Sequence, residues 1–383
     1  MVQPHSTCPL HFARREFLAL SLSGAADVNV PAAMGFVPMS LSNATAARLR
    51  YFGAMKPPRR SVLMVSVCLV VFAFVRQRQV CVTMTSVVSY ESFKTRATRI
   101  PSVCNSQSTI VTGIYYVYKS KHSSTEYAKW YRRFFSLTDN KVVFTDQRTL
   151  EQLPLLNSKY SWRKHASCTV FVIADLRESD LWKKYDWERQ LQLDPERDLH
   201  STELYVIWNT KMLSLSDVAM VNPFNSKYFF WADAGQFRDD QFLSRALSRT
   251  NRIWIRSTNF IPSCKMVFLA VKKFVEEELQ LDHTGTSKIQ YHSRLGGGNF
   301  GGDYCAVSIW RRLYLDKIDD YIQSGNFAGK DQHLFASVCI EMKHLCHIID
   351  GSRIRNINDV WFAMQPVLHG DEEVIPIYSL SAA

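Results

Sequence analysis

The stretch KYFFWADAGQFR, residues 227–238, places a run of aromatic side chains directly before a single carboxylate. Residues 229–231 are all aromatic, Asp233 follows them, and Gly235 comes two residues later. A run this apolar is typical of a strand that is buried on both faces of a sheet. In open α/β sheets, ligands bind beyond the carboxyl ends of the strands. The stretch therefore predicts that Asp233 lies at the ligand-binding edge of such a sheet.

Asp233 has a functional and a structural interpretation. A carboxylate in that position is a natural ligand for Mg²⁺ or Mn²⁺, which bridges to phosphate oxygens and neutralises a diphosphate leaving group. Gly235 lets the chain turn tightly around a bound group, because glycine reaches backbone angles that other residues avoid. Alternatively, Asp233 caps a turn or pairs with Arg238. The spacing alone leaves both interpretations open.

Strands and helices alternate along the rest of the chain, as judged from the period of the apolar residues. Strands are predicted at 108–117, 141–146 and 168–176 and in NRIWIRS and SKIQYHSR, and helices at 124–137, 203–220, 303–324 and 331–349. This alternation predicts an α/β fold in which a mostly parallel, mixed sheet is flanked by helices.

The charge of the chain is unevenly distributed. The chain has 383 residues and a formal net charge of +11. Residues 1–100 hold twelve Lys and Arg against three Asp and Glu, whereas the remaining residues hold 34 against 32. A nucleic-acid-binding face needs clustered Lys and Arg in the folded body. The body shows no such cluster in its sequence, so no nucleic-acid partner is predicted.

An uncharged apolar segment, residues 61–75, has three basic residues shortly before it and two after it. Basic side chains at both ends extend a short membrane span by reaching to the surface. Positive charge before the span favours a cytoplasmic N-terminus. We therefore predict a single-pass type II protein of the Golgi or ER membrane, attached through this anchor. A cleaved signal peptide starting near Met55 and a buried core segment are the alternatives.

The predicted organisation has four parts. Residues 1–54 show no sustained period and are expected to be a disordered tail or a segment absent from the mature protein. Residues 55–78 are the predicted anchor, 79–106 a stem, and 107–383 the catalytic body. Nine cysteines are scattered along the chain without a C-x-x-C motif, which argues against a zinc ribbon. In a lumenal body some of them can form disulfides, but the spacing does not reveal the pairing.

The glycine-rich segment GGGNFGG, residues 296–302, is a second functional signal. Gly296, Gly298 and Gly301 match G-x-G-x-x-G, the dinucleotide-binding pattern. The match lies late in the chain, and no following strand completes a β-α-β unit, so dinucleotide binding is the weaker interpretation. Closely spaced glycines also let backbone approach a sugar or phosphate, or flex as a lid. A plain flexible connector is equally consistent with the spacing.

The segment GNFAGKDQ, residues 325–332, superficially resembles a phosphate-binding P-loop. One residue is missing between its glycines, and Asp331 replaces the Ser or Thr that would hold Mg²⁺, so we reject that interpretation. Asp331 opens a predicted helix, where it either caps the helix or points a carboxylate into a cleft toward a substrate hydroxyl. His369 in PVLHGDEE is either a metal ligand, since imidazole suits Mn²⁺, or an ordinary surface histidine.

Several of these segments resemble a known family when they are taken in order. LHSTELYVIWNTK, NPFNSKYFFWADAGQFR, GGGNFGG and GKDQ are similar to the HtrL/YibB (WlaTC-type) family of proposed glycosyltransferases, and TIVTGIYYV and VVFTD fit the same pattern. The resemblance covers residues 108–369. It implies a GT-A-like fold that uses a nucleotide-diphospho-sugar and usually a divalent ion. It supplies a reaction class but no particular substrate.

The resemblance also implies roles for individual residues. Asp233 takes the place of the metal-binding carboxylate of a D-x-D motif, with Mn²⁺ or Mg²⁺ as the ion, but the motif here has only one acid. Asp331, together with Gln332, becomes the candidate catalytic residue, acting as a base or orienting the acceptor. The remaining implied contacts are Thr112 and Asp146 to the nucleoside, Gly296, Gly297, Gly298 and Lys330 to the donor and acceptor, and His369 to the metal.

The function predicted on this basis is transfer of a sugar from a nucleotide-diphospho-sugar to a hydroxyl of a glycan, glycoprotein or lipid in the secretory pathway. Catalysis would come mainly from positioning and charge stabilisation. The single acid of the motif favours an alternative, a non-catalytic sugar-binding or scaffold protein on the same fold. A dinucleotide-dependent enzyme that uses the glycine segment is the third hypothesis.

Overall fold

The computed structural model describes residues 85–95, 106–117, 119, 122–153, 168–238, 252–283, 285–287, 289, 292–355, 357, 359–372 and 374–380. The predicted tail at 1–54 and anchor at 55–78 lie outside these residues. Within them, eight strands form one sheet, and helices cover both faces of that sheet.

The strands follow one another across the sheet in the order β1-β4-β3-β2-β5-β7-β6-β8. Their bounds are β1 Thr85–Ser89, β2 Ser108–Gly113, β3 Asn140–Thr145, β4 Thr169–Ile173, β5 Tyr228–Ala232, β6 Met266–Ala270, β7 Asn299–Asp303 and β8 Cys346–Asp350. β7 runs antiparallel to β5 and β6, and the other strand pairs are parallel. The mostly parallel, mixed sheet predicted from the sequence is therefore confirmed.

Nine α-helices connect and flank these strands in the described residues. Their bounds are α1 Tyr90–Thr95, α2 Ser124–Ser136, α3 Gln147–Gln152, α4 Asp180–Lys184, α5 Trp187–Leu193, α6 Thr202–Val221, α7 Tyr304–Gln323, α8 Asp331–Glu341 and α9 Met364–His369. Local sequence signals set several of their ends. α2, for example, begins at a capping box in which Ser123 and Glu126 each bind the other's backbone N–H.

The aromatic run before Asp233 forms β5, in the middle of the sheet. Side chains alternate between the two faces of a strand. Phe229 and Trp231 accordingly enter the core layer formed with α6, α7 and α8, whereas Phe230 enters the opposite layer, which contains residues of α2 and α9. All five residues of β5 are buried. A strand buried on both faces needs apolar side chains at every position, which explains the continuous run.

The glycine-rich segment predicted as a loop contains the antiparallel strand β7. A Cβ atom at Gly301 would run into the backbone of Phe229 and the ring of Phe230 on the neighbouring strand. Glycine is therefore required for the close approach of the two strands. Because glycine is depleted in strands generally, the glycine-rich sequence does not predict β7.

Other predicted elements also differ from the structure. The helix predicted at 331–349 ends at Glu341, and the chain then enters β8 through a short 3₁₀ turn. The described part of NRIWIRS, residues 252–257, forms no strand, and neither do the described residues of SKIQYHSR. Conversely, no element is predicted for the MVFLA run that forms β6. Short apolar runs do not separate a buried strand from a buried helix, which explains these errors.

The folded body begins earlier than the boundary predicted at residue 107. The segment 79–106, predicted as a stem, contributes β1 and α1. β1 pairs with β4 in parallel, and Phe93 of α1 packs edge-on against Phe144 of β3. The N-terminal part of the predicted stem therefore belongs to the sheet and its core.

The localisation predicted from the sequence requires a correction. In the part of the chain that the structure describes, no helix combines the length and the apolarity needed to cross a bilayer. A single-pass type II protein of the Golgi or ER membrane is therefore not supported. The segment 55–78, on which that prediction depended, lies outside the described residues.

Two disulfides link elements of the C-terminal half. Cys264 pairs with Cys305, which joins the loop before β6 to the start of α7. Cys339 pairs with Cys346, which joins the last turn of α8 to the start of β8. The expectation that some of the scattered cysteines pair is confirmed, and the pairing itself comes from the tertiary structure.

Asp139, in the turn before β3, fixes the position of the segment NRIWIRS, for which the sequence predicts a strand. Its fully buried carboxylate accepts the backbone N–H groups of Trp254 and Ile255 at 2.7 and 3.0 Å. A side chain, rather than a neighbouring strand, thus satisfies this backbone. Buried N–H groups without an acceptor are strongly unfavourable.

We predict that Asp139→Ala lowers the free energy of unfolding by about 3 kcal/mol, because two buried N–H groups lose a charged acceptor. Urea unfolding followed by tryptophan fluorescence measures this loss. The control is Asp316→Ala, which removes an exposed carboxylate paired with the exposed Arg312 and should cost less than about 0.5 kcal/mol. Equal effects of the two substitutions would contradict the role given to Asp139.

Candidate functional site

Three charged side chains meet at the carboxyl end of β5. The Lys211 ammonium lies 3.3 Å from Oδ1 of Asp233 and 3.2 Å from Oδ2 of Asp331. It also donates a 2.9 Å hydrogen bond to the carbonyl of Gly297. We call Lys211, Asp233 and Asp331 the charge cluster.

Each member of the charge cluster comes from a different element. Asp233 directly follows β5, Lys211 lies in the middle of α6, and Asp331 is the first residue of α8. The two helices share one core layer on the same face of the sheet. That layer brings together residues that are far apart in the chain, at the edge where α/β sheets bind their ligands.

Burial differs sharply within the charge cluster. The side chains of Lys211 and Asp331 are 5% and 2% exposed, whereas that of Asp233 is 43% exposed. A buried charge is tolerated only when an opposite charge and hydrogen bonds compensate its lost hydration. Lys211 and Asp331 therefore form the inner, mutually dependent pair, and Asp233 is the member that a ligand reaches directly.

The electrostatics of the charge cluster follow from this burial. Burial alone would lower the pKa of Lys211, but Asp233 and Asp331 outweigh it and hold that pKa above its ordinary value. Burial raises the pKa of Asp331 to about 6, an effect that Lys211 reduces and Asp233 increases. The ammonium thus stays charged at neutral pH, and the inner carboxyl takes up its proton in mild acid.

Lys211 and Asp331 form a buried ion pair. The ammonium lies 3.2 Å from Oδ2 of Asp331, and this attraction favours the charged form of both groups. The other oxygen accepts the backbone N–H of Gln332. Both oxygens of the inner carboxylate therefore face a positive or hydrogen-bond-donating group of the protein.

The glycine segment 296–298 forms one wall of the charge cluster. A Cβ atom on Gly297 would lie 2.6 Å from Oδ2 of Asp331, whereas one on Gly298 would meet its nearest neighbour, Oδ2 of Asp233, at 3.5 Å. The carbonyl of Gly298 accepts the backbone N–H of Asp233 at 2.9 Å. The predicted glycines and both predicted aspartates are thus brought to one place.

A buried polar side chain fixes the loop that leads into Asp331. The amide of Asn209, two residues before Lys211 on α6, donates to the carbonyls of Ala328 and Gly329. The same amide accepts a hydrogen bond from the hydroxyl of Tyr314. The loop leading into Asp331 is therefore tied to α6, so that the positions of Asp331 and Lys211 are coupled.

The indole of Trp231 fixes Asp233 from within β5. Its Nε1 donates a 2.7 Å hydrogen bond to Oδ1 of Asp233, and the Lys211 ammonium lies over the indole ring. The ring thus contacts two members of the charge cluster. This explains why the aromatic run ends on tryptophan, the one residue of the run whose side chain has an N–H to donate.

Thr112 and Asp146, predicted to contact a nucleoside, lie at the ends of β2 and β3 as expected. Thr112 is fully buried, and its hydroxyl accepts the backbone N–H of Ala234 at 3.2 Å. Asp146 caps α3 by accepting the backbone N–H of Thr149 at 2.6 Å. Both side chains serve the protein's own backbone, and their contact with a nucleoside stays a prediction.

The other predicted site residues are dispersed around α8 and α9. Lys330 pairs with Glu196, and Gln332 accepts a 2.6 Å hydrogen bond from the Ser293 hydroxyl. His369 is a buried residue at the end of α9, with Nδ1 3.1 Å from the carbonyl of Trp254. The expectation of an ordinary surface histidine is therefore wrong, because α9 packs into the second core layer.

The described residues do not fit a dedicated divalent-ion site around Asp233. Among them, three-residue groups with ligand atoms close enough to share an ion occur twice, and neither group includes Asp233 or His369. The oxygens of Asp233 already face the Trp231 N–H and the Lys211 ammonium. A lysine ammonium thus occupies the position beside Asp233 where the resemblance places Mn²⁺ or Mg²⁺.

A cavity of about 380 Å³ opens at the carboxyl ends of β1, β3 and β4. Aromatic side chains, Tyr90, Tyr115 and Phe144, contribute to its lining. Thr210, the neighbour of Lys211 on α6, also lines it. We call this space the aromatic cavity. Its position beside α6 makes it a candidate for a ligand that extends to the charge cluster.

Comparison with known proteins identifies the family but not the activity. Residues 106–362 match the family described as "Bacterial protein of unknown function (HtrL_YibB)". The match spans more than half of the chain, so the protein belongs to the HtrL/YibB family, as the motifs predicted. No curated protein matches the chain.

Lys211 and Asn209 are functional candidates that the sequence argument missed. Both lie in LYVIWNTKMLSL, a helical segment that is apolar on nearly all sides. A helix of that kind is buried, and a buried lysine needs a charged partner. The presence of a cation in such a segment is the signal that would have pointed to a partner carboxylate.

We predict that Gly297→Ala lowers the free energy of unfolding by about 1–3 kcal/mol, since its new methyl group would overlap the Asp331 carboxylate. Gly298→Ala is the matched control. Its methyl group meets Asp233 at ordinary contact distance, and it should change stability by less than about 1 kcal/mol. Thermal unfolding of both variants measures the difference, and a larger loss for Gly298→Ala would contradict the described packing.

Proposed function

We propose that this protein is a glycosyltransferase on a GT-A-like fold, which transfers a sugar from a nucleotide-diphospho-sugar to a hydroxyl acceptor. The observation that carries the proposal is the buried Lys211 ammonium between two carboxylates at the carboxyl edge of an α/β sheet. The glycine segment, which brings backbone close to that edge, supports it. The resemblance of its ordered sequence segments to a family of proposed glycosyltransferases also supports it.

The nucleoside of the donor binds in the aromatic cavity in this proposal. The rings of Tyr90, Tyr115 and Phe144 offer apolar faces to a base, and the Asp175 carboxylate offers an acceptor to ribose hydroxyls. Five acidic and two basic side chains line the cavity. Because the acidic ones are in excess, the lining disfavours a diphosphate, and the phosphates lie outside the cavity, toward Lys211.

Lys211 supplies the positive charge that the transfer requires. As the bond between the anomeric carbon and the diphosphate breaks, negative charge accumulates on the leaving oxygen. A preorganised cation in a partly dry site stabilises that charge more strongly than water does. The raised pKa of Lys211 keeps the ammonium protonated throughout the neutral range.

The two carboxylates have different tasks in this mechanism. Asp233 is the exposed member, so it faces the acceptor and receives the proton of the hydroxyl whose oxygen bonds to the anomeric carbon. Asp331 is almost completely buried behind Gly297. It is therefore a positioning residue that holds the Lys211 ammonium, rather than the base or acceptor-orienting group predicted from the sequence.

One observation favours the alternative of a non-catalytic sugar-binding protein. The segment Asp233-Ala234-Gly235 holds one acid, so the site has a single exposed carboxylate where the family fold implied by the resemblance uses a pair. Such a protein would bind a nucleotide sugar without turning it over. Detection of free nucleoside diphosphate after incubation with the bound donor separates the two functions.

We predict that one or more of the UDP- and GDP-sugars raise the melting temperature of the full-length protein by several degrees, since binding stabilises the folded state by mass action. The shift should persist in EDTA, because Lys211 supplies the cation. Lys211→Met should abolish it, whereas Lys227→Met, an exposed lysine at the opposite end of β5, should retain it. A shift that requires added Mn²⁺ would instead support the predicted metal. Absence of any shift in a folded wild-type protein would refute the proposal.

A second prediction concerns pH. Because the pKa of Asp331 is raised to about 6, its carboxyl becomes protonated as the pH falls through that value and no longer holds the ammonium. Donor turnover by the wild-type protein should therefore decline on the acid side with a midpoint near that pKa. Asp331→Asn should be slower at neutral pH and should lack this decline. An unchanged acid limb in the variant would assign the titration to another group.

A further inference from the structure

A second cavity, of about 290 Å³, lies on the other side of the charge cluster from the aromatic cavity. Its lining combines residues from the first turn of α8, from the end of β6 and from the segment before the glycines: Lys272, His292, Ser293, Lys330 and His333. We call it the basic cavity. Lys330 and Gln332 flank Asp331, and Gln332 accepts the hydrogen bond of Ser293, so this cavity adjoins the charge cluster.

The strand order places the two cavities on opposite sides of Asp233. The aromatic cavity lies at the ends of β1, β3 and β4, which are on one side of β5, whereas Lys272 follows β6, two strands beyond β5 on the other side. Neighbouring strands are about 4.8 Å apart. A ligand whose nucleoside fills the aromatic cavity therefore leaves the basic cavity to a second ligand, the acceptor.

The charges of the basic cavity select for an anion. Lys272 is exposed and has no ion pair or side-chain hydrogen bond in the described part of the chain. Lys330 is paired with Glu196, the one acid in the lining. Two ammonium groups thus face one carboxylate, which leaves a positive excess next to the reacting centre.

A buried imidazole adds a specific contact. His333 is 2% exposed, and its Nδ1 has no hydrogen-bond partner among the described residues. Buried polar atoms without a partner are rare in native proteins and call for an explanation. Burial lowers the pKa of His333 to about 4, so the ring is neutral and can donate one N–H to a bound oxygen. Trp361 and Phe327, which also line the cavity, offer apolar faces to a sugar ring.

From this arrangement we infer that the acceptor is an anionic sugar, bearing a phosphate or a carboxylate that binds in the basic cavity through Lys272, Lys330 and His333. The inference deepens the proposed function and rests on it. The acceptor hydroxyl is thereby directed at the charge cluster from the side opposite the donor. Glu196 holds Lys330 in place, but its own negative charge repels the anion. It therefore lowers the affinity for the anionic sugar and is not needed for binding.

Calorimetric titration of the full-length protein tests this inference, with glucose 6-phosphate, glucuronate, glucose and UDP as probes. Glucose 6-phosphate or glucuronate should bind, and glucose should bind at least about tenfold more weakly, since a charge-assisted contact contributes about that factor. Whichever of the two anionic sugars binds more tightly shows whether the acceptor carries a phosphate or a carboxylate. Failure of both to bind the folded wild-type protein more tightly than glucose would overturn the inference.

Three variants locate the binding site. Lys272→Gln should weaken the anionic sugar about tenfold, whereas Lys273→Gln, the exposed neighbour outside the lining, should leave it unchanged. Glu196→Gln should strengthen binding several-fold, a gain that damage to the fold does not produce. UDP should bind Lys272→Gln as tightly as it binds the wild type. Equal losses for UDP and for the sugar would assign the cavity to the donor diphosphate and overturn the inference.

The outcomes also separate this inference from the proposed function. Binding of an anionic sugar that depends on Lys272, without binding of any nucleotide sugar, would retain the basic cavity as an anion site and reject the transferase. Turnover of a nucleotide sugar that is insensitive to both Lys272→Gln and Glu196→Gln, with glucose as good an acceptor as its phosphate, would retain the transferase and reject the anionic acceptor.

Discussion

The pairing of the Lys211 ammonium with Asp331 is the constraint on which the site depends. Both side chains are almost fully buried, and a buried charge without a partner destabilises a fold by several kcal/mol. The loops on either side must therefore hold the two groups together. Asp233 completes the cluster at its exposed edge. The Lys211 ammonium is thereby held in a fixed position at the edge of the sheet where ligands of α/β proteins bind.

The rest of the fold can be understood as the support for this pairing. α6 and α8 share a core layer with one face of the central strands, and the Asn209 amide ties the loop before α8 to α6. Gly297 lets its backbone approach the carboxylate of Asp331. Two cavities of different character, one aromatic and one basic, flank the cluster. In the proposed mechanism, this difference in lining assigns the donor to the aromatic cavity and the acceptor to the basic cavity.

Some of the site was predictable from local sequence, and some was not. Asp233 follows a continuous aromatic run and Asp331 begins a helix, so both positions at element ends could be inferred. β7 could not, because its glycines serve contacts with β5 that only exist in the folded sheet. The partner of the two aspartates, Lys211, was also missed, since nothing local in α6 indicates which acids it will meet. The membrane topology inferred from composition was not supported in the described residues.

The sequence by itself determined the α/β class, the positions of the strands β2 to β5 and of the helices α2, α6 and α7, and the family to which the chain belongs. These features depend on residues close together in the chain, whose period and capping chemistry are visible as a pattern. The tertiary structure alone decided that Lys211 stands between Asp233 and Asp331, that the cysteines pair as they do, and that a basic cavity adjoins the cluster. Charged groups attract each other through space, whatever their separation in the sequence. Local sequence patterns therefore do not predict which distant charged residues will meet in a buried site.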